Sequence, residues 1–518
     1  MKKEREFAMK KRIVCLLISV CLLLSGLCTG VLAAAPEQVA EELCAIDVFR
    51  GTGGAKGFDL DRAPTRREAA VMLVRLYGAE DEAMRLYAAG AITHPFADGK
   101  DWSAPYIAWL YSRGMTKGVS ETSFGADRPC SARDYAVFLL RSLGYQDNFD
   151  FTYAQAEQFA AEAGFYDSRL FCGEFLRGDM ALMTYFALAS KTADGKKTLL
   201  DALVDSGSIE KDAARPMQTA FKGERAVTFG ANGMVLNETR WRQQAKELEI
   251  RVVIDNGSSV LPSGVELLTT EFFDRLLVSD GRGGLVIQDA VLNQMLSAWE
   301  QKYNVQNVPY QFDSYVKGLT SIEFIKRNYA VDRERITKQL MQQLFLMQSA
   351  TIEAPLYCYD WTGARFSIEK THVEVDIDNQ QLTFIKNGEV IVNTNIVTGA
   401  INGHQTPVGL YSAHGKETNA TLTGEDYEVF VKYWVSVIGD SVGLHDASWR
   451  SNFGSDYYVY GGSHGCINIP EWAMVKIFFN IDEGTPVLIH GKNQWYEPFS
   501  GNSPATVNPA RGTTAKTN

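Results

Sequence analysis

No CxxC pair occurs in these 518 residues, and cysteine is sparse, with only eight in the chain. That scarcity excludes a zinc ribbon and a dense disulfide framework. A surplus of positive charge is also missing: 51 Lys and Arg stand against 62 Asp and Glu, for a net charge of −11. The basic footprint of a nucleic-acid-binding protein is therefore absent, and no nucleic-acid partner is expected. What is present is a hydrophobic content of 46 %, which suits buried cores. The length suits several domains of about 100–200 residues each.

The N-terminus opens with a basic stretch, "MKKEREFAMKKR", followed by the apolar run "IVCLLISVCLLLSGLCTGVLAAA", which ends in small residues. This order reads as a Sec-type signal peptide over residues 1–34, cleaved near Ala33 or Ala34. Left uncleaved, the run approaches the roughly 20 apolar residues that span a bilayer, and it is the only membrane contact the sequence offers. Cys28 follows Leu27, a poor fit to the small residues of a lipobox. Beyond this segment remain Cys44, Cys130, Cys172, Cys358 and Cys466. An odd cysteine in an exported chain points to a free, reactive thiol.

Residues 37–212 repeat themselves. "APTRREAAVMLVRLYG", "PCSARDYAVFLLRSLGY" and "FLRGDMALMTYFALAS" each open on a polar turn and continue as an amphipathic helix. Each places an acid two residues before an alanine: Glu68 and Ala70, Asp134 and Ala136, Asp179 and Ala181. An acid in the first turn favours a helix N-terminus, and Arg66, Arg133 and Arg177 lie in or near the turns. Ahead of the second copy, Phe96 and Asp98 precede Trp102, a helix runs to Gly114, and Gly118 and Phe124 follow. This pattern resembles the S-layer homology (SLH) repeat. The second copy matches well, while the first has a blurred start and the third is worn. The resemblance implies an α-helical wall-anchoring region that binds secondary cell-wall polysaccharide.

Residues 225–350 carry few chemical signals. "ETRWRQQAKELEIRVVID" mixes helix and strand patterns, and "RERITKQLMQQLFLMQS" is an amphipathic helix with Ile336, Leu340, Leu344 and Met347 on one stripe. The stretch resembles an α+β peptidoglycan-binding module; a plain spacer fits the residues equally. From about 370 the pattern turns to strands. "HVEVDIDNQQLTFIKNGEVIVNTNIVTG" alternates apolar and polar residues about an Asn387-Gly388 turn, and "DYEVFVKYWVSVIG" continues the theme. A mainly β domain over 370–492 is expected, followed by a disordered tail over 493–518.

Within the β domain lies "YVYGGSHGCINIPEWA", residues 458–473. Cysteine attacks as a thiolate, and a neighbouring imidazole raises the thiolate fraction. If the stretch is extended, His464 and Cys466 face one side, and Gly465 between them lets the backbone bend. Backbone N–H groups at Gly465 and Cys466 would supply an oxyanion hole. Upstream, His445 in "VGLHDASWRSNFG" would be brought back to the site by the intervening loop. Two other readings are open. Cys466 is small enough to be a buried core residue, and His445, His464 and Cys466 form three zinc ligands that lack a fourth. His94, His372, His404, His414 and His490 read as surface or core groups, and the other four cysteines as structural.

His445, a 17-residue gap, and Ser463-His464-Gly465-Cys466-Ile467-Asn468 resemble the signature of the L,D-transpeptidase (YkuD-type) family. "TGAINGHQTPVGLY", with its Thr406-Pro407-x-Gly409 turn, "WRSNFG" and "EGTPVLIH" extend the resemblance over about 370–490. It implies that Cys466 attacks the amide between the third and fourth residues of a peptidoglycan tetrapeptide stem. D-Ala leaves, a thioester remains, and the amine of a second stem resolves it as a 3→3 cross-link. His464 would act as base and then acid, and the Gly465 carbonyl would orient it. His445 and Ser463 would shape the substrate pocket, and Asn468 would hold the loop behind the cysteine. No metal or organic cofactor is implied. The expected fold is therefore multidomain, with α-helical SLH-like repeats, an α+β middle module and a mainly β catalytic domain. The expected place of work is the cell wall outside the cell. Two rival functions are an L,D-carboxypeptidase, with water as acceptor, and a structural wall-binding protein with an inert cysteine.

Overall fold

The computed structural model describes residues 35–52, 57–222, 227–230, 233–360, 363–368, 370–401, 403–424 and 427–491, together with the backbone of 514–517. The expected signal segment, 1–34, lies outside the described residues. Among the described residues no helix is long and apolar enough to cross a membrane.

The chain forms two compact units that alternate in sequence. The first comprises Met1–Ile254, Gly264–Trp299 and Asp332–Ala354; the second comprises Asp255–Ser263, Glu300–Val331 and Pro355–Asn518. The 225–350 stretch, read from sequence as one module, thus contributes to both.

In the first unit the three similar segments form helices α1 (Arg66–Leu76), α2 (Ala132–Ser142) and α3 (Arg177–Ala189). Their starts follow from the acids noted above. Thr65 and Glu68 form a capping box, as do Ser131 and Asp134, each satisfying backbone N–H groups that a helix N-terminus leaves open. At α3 the Asp179 carboxylate accepts the Leu176 N–H at 2.8 Å. Arg66 is buried and joins two of the segments, pairing with Asp134 at 3.0 Å and donating to the Phe124 carbonyl at 3.0 Å. Asp98 accepts the N–H groups of Phe124 and Ala126, both at 2.7 Å, and Gly118 stands at φ +75°. Asp98 and Gly118 thus help to hold one turn together. The unit also carries a four-stranded and a three-stranded sheet and the expected helix Arg333–Leu346, whose Ile336, Leu340 and Leu344 are fully buried.

The second unit begins with a hairpin, β1 (Val305–Ser314) and β2 (Gly318–Ala330), with β3 (Tyr357–Tyr359) on its edge. Ten further strands follow: β4 (His372–Asp376), β5 (Gln381–Lys386), β6 (Glu389–Asn395), β7 (Gly409–Ser412), β8 (His414–Thr423), β9 (Glu428–Ile438), β10 (Val442–Asp446), β11 (Ile467–Ile469), β12 (Pro486–His490) and β13 (Thr514–Thr517). One sheet has the order β6-β5-β4-β12-β7 and the other β11-β10-β9-β8-β13. The β5–β6 turn is the expected Asn387-Gly388, with both residues at positive φ (54° and 82°), as a type I′ hairpin turn requires. The strand β13 departs from the expectation of a wholly disordered tail, because its backbone pairs with the free edge of β8; residues 492–513 lie outside the described residues.

Val373, Val375 and Phe384 of one sheet and Val435, Leu444, Ile467 and Ile469 of the other share a single core with Met474 and Ile477 of α5 (Glu471–Asn480). A second, smaller cluster lies beside this core. Trp434, Val431, Ala420, Leu422 and Cys466 form it, and all five are buried.

The hairpin β1–β2 is fastened to the sandwich by a buried polar group. Glu374 on β4 accepts from the Ser314 hydroxyl at 2.5 Å and the Tyr315 N–H at 3.1 Å, and it meets His490 Nε2 at 2.8 Å. Burial raises the Glu374 pKa, but His490 and Ser314 outweigh it and hold the carboxyl below its ordinary value. Lys317 extends the group to Asp376 and Asp378, at 2.9 Å each.

Candidate active site

Cys466 enters from the loop that joins the short helix α4 (Tyr457–Gly461) to β11. That loop is held in place from three directions. The Ser463 backbone exchanges hydrogen bonds with the 398–400 segment, its N–H on Thr398 O at 3.0 Å and its carbonyl on the Ala400 N–H at 2.9 Å. The Ser463 hydroxyl donates to the Cys466 carbonyl at 2.5 Å and accepts the Gly465 N–H at 3.1 Å. The Thr406 hydroxyl donates to the Gly465 carbonyl at 2.8 Å and accepts the Gly399 N–H at 2.8 Å. Gly399 and Gly462 must be glycine here. A Cβ on Gly399 would lie 1.9 Å from the His404 carbonyl, and one on Gly462 would lie 2.4 Å from the Ala400 nitrogen.

Gly465 itself stands at φ +123°, a conformation that favours glycine. The expectation that His464 and Cys466 share a side rested on extended backbone, and this bend removes that basis. Cys466 is turned inward and is 5 % exposed. His464 is exposed, its ring stacked on Tyr427 (centroids 4.6 Å apart) and edge-on to His404 (4.4 Å).

The histidine that shares the face of Cys466 is His445. The parallel ladder of β10 and β11 pairs Leu444 with Ile467 and His445 with Asn468. Leu444, Ile467 and Ile469 point into the sandwich core. Gly443, His445, Cys466 and Asn468 alternate with them and take the other face. Trp434, the antiparallel partner of His445, belongs to the Cys466 cluster and stacks on the His445 ring with centroids 5.9 Å apart. A Cβ at Gly443 would lie 2.7 Å from the Trp434 ring, so the glycine makes room for it. Trp449, half exposed, covers the His445 ring from another side at 5.9 Å.

The protonation chemistry of the two groups is set by burial. His445 is 3 % exposed, and burial pushes its pKa down to about 4. Nδ1 lies 2.9 Å from the Asp446 carbonyl; a carbonyl only accepts, so Nδ1 carries the proton and Nε2 is left with its lone pair. Burial pushes the Cys466 thiol up to about 11, against a smaller opposite effect from the Gly443 N–H. The thiol lies 3.7 Å from the Ser441 carbonyl. The resting pair is therefore a neutral thiol and a neutral imidazole. Asn468 has its backbone paired with Val397 in both directions, while its buried Oδ1 meets no partner among the described residues.

The structure thus brings Cys466, Gly465, Ser463, His445 and Asn468 together and leaves His464 exposed. His404, Tyr427, Trp434, Trp449 and Thr406 also border the site. For Trp449, Thr406 and His404 the sequence held a signal, since all three lie in the stretches that resemble the transpeptidase family; for Tyr427 it held none.

Residues 370–489 match the YkuD family, the L,D-transpeptidase catalytic domain. Among solved structures, the chain is similar to a cysteine-to-serine mutant of Enterococcus faecium L,D-transpeptidase, with 26 % identity and a TM-score of 0.28 over 49 % of this chain and 100 % of that one. It is also similar to the ertapenem-acylated catalytic domain from E. faecium L,D-transpeptidase, with 38 % identity and a TM-score of 0.23 over 24 % of this chain and 100 % of that one. A cell surface protein of Thermoanaerobacter kivui is 26 % identical over 294 residues, covering 53 % of this chain. The chain spans 37 % of the length of that curated relative. The C-terminal part of the protein accordingly carries an L,D-transpeptidase catalytic domain.

Proposed function

We propose that the protein is a cell-wall L,D-transpeptidase that works through a thioester on Cys466, with His445 as its proton carrier. The observation that carries this reading is the shared face of Cys466 and His445 beneath Trp434, inside the segment that matches the catalytic family. The sulfur attacks the carbonyl between the third and fourth residues of a stem peptide while His445 Nε2 takes the thiol proton. Proton transfer accompanies attack, because a thiol near 11 and an imidazole near 4 do not form a resting ion pair. The C–N bond breaks, the D-Ala amine leaves with the proton from His445, and the acyl group stays on Cys466. The amine of a second stem then gives its proton to His445 and attacks the thioester, and the C–S bond breaks to restore the thiol. Of the two N–H groups expected to form an oxyanion hole, that of Gly465 already donates to Ser463, so Cys466 supplies its own.

The helical repeats fit a wall anchor that binds secondary cell-wall polysaccharide, and the N-terminal segment fits export. Such tethering raises local substrate concentration without any new catalytic contact.

Intact mass spectrometry of the full chain treated with a carbapenem tests the reading. One adduct per chain, absent from Cys466→Ala, supports it. No adduct on a folded chain overturns it and favours a wall-binding role. Product analysis then separates transpeptidase from carboxypeptidase: a cross-linked dimer supports the first, a trimmed monomer the second.

A further inference from the structure

Arg450 lies five residues after His445, in the turn beyond β10, where its N–H closes on the Ala447 carbonyl at 3.0 Å. Its guanidinium donates to the carbonyl of Gly461, two residues before Ser463. Arg450 therefore joins the segment that carries His445 to the segment that carries Cys466, beside the half-exposed Trp449 that covers the His445 ring.

In a chain with 62 acids and 51 Lys and Arg, this arginine has no acidic partner among the described residues: burial alone lowers its pKa, and no carboxylate offsets it. Its Nε–H is buried and meets no acceptor. Its charge reaches His445, where it adds to the downward push of burial. A buried donor without an acceptor is costly and rare, and with no carboxylate to neutralise it the charge of this guanidinium is offered, at its exposed terminal nitrogens, to an anionic acceptor from outside. The planar fork of a guanidinium matches a carboxylate.

We infer that Arg450 is the carboxylate-binding residue of the cleft, holding a free carboxylate of the stem peptide whose acyl group passes to Cys466. The inference rests on the transpeptidase reading. Two carboxylate sources share this chemistry, the C-terminal D-Ala and the internal acids of the stem.

The test is calorimetric titration of the full chain carrying Cys466→Ala, which binds without turnover, with and without Arg450→Gln or Arg450→Lys. Three tetrapeptide stems are compared: the free acid, its C-terminal amide, and a form with the internal carboxylates amidated. Arg450→Gln is expected to weaken the free acid by about tenfold to a hundredfold, and Arg450→Lys by less. The stem amidated at the bound carboxylate is expected to bind weakly to the parent and to ignore both substitutions, which identifies the source. Equal losses on all three stems would make Arg450 a structural strut and overturn the inference, as would no loss, or no binding by the parent. Thioester formation with Cys466 intact separates the two levels. Arg450-dependent binding without any thioester sinks the transpeptidase reading alone. Thioester formation and binding that are both indifferent to Arg450→Gln sink the carboxylate site alone.

Discussion

His445 and Asn468 are register partners across the parallel ladder of β10 and β11, and that single pairing puts an imidazole on the same face as a thiol two residues upstream of the asparagine. His464, much nearer in sequence, is turned away by Gly465. His445→Gln should therefore slow carbapenem adduct formation by about 10²–10⁴-fold, and His464→Gln by far less. Adduct mass followed over time decides between them, and the reverse order would return the base to His464.

The pH dependence follows from the same burial. Neutral His445 exists above about pH 4 and the neutral thiol below about pH 11, so the acylation rate should be flat from about pH 5 to about pH 9. An inflection near 6.5 would contradict this. Stability behaves differently. Unfolding returns His445 to its ordinary value of 6.5 from about 4, so between these values the unfolded chain binds more protons. The stabilisation is fully present above 6.5 and is lost as pH falls toward 4, up to ~3 kcal/mol. His445→Gln should flatten that part of a denaturation-against-pH curve.

Thr406 works on the nucleophile through the backbone, with one hydroxyl joining Gly399 to Gly465. Thr406→Val keeps the shape and removes both hydrogen bonds, at about 1–3 kcal/mol of stability. It should lower the acylation rate more than it raises the concentration needed for half-maximal rate. Thr406→Ser should restore most of the loss. An unchanged rate in Thr406→Val would mean that the loop holds itself.

Glu374 should be structural. Glu374→Ala strands His490 and the Ser314 hydroxyl in a buried site, and loss of one member of such a group costs about 3–5 kcal/mol. The melting temperature should fall and the amides of β1 and β2 should exchange faster, while Glu374→Gln should cost less. No change in β1–β2 exchange would show that the hairpin is held by other contacts.

Much of this was legible in the sequence because it is local. Thr65 with Glu68, Ser131 with Asp134 and the Asn387-Gly388 turn each lie within a few residues of their partners. The orientation of His464 was hidden because it depends on one backbone angle at Gly465, and glycine marks that freedom without saying how it is used. His445 was expected to shape the substrate pocket, and its place on the face of Cys466 depends on a ladder between strands more than 20 residues apart. The buried meeting of Ser314 with Glu374 spans 60 residues and left no pattern in either stretch. The first 34 residues, read as an export signal, lie outside the described residues.

The two units alternate along the chain, which passes from one to the other five times between Ile254 and Pro355. Recombination is thereby constrained. A crossover in the gene anywhere in that interval would split both units at once and pair each half with a stranger. The catalytic unit cannot be lifted out as one continuous segment, because Asp255–Ser263 and Glu300–Val331 belong to it while Gly264–Trp299 and Asp332–Ala354 belong to its neighbour.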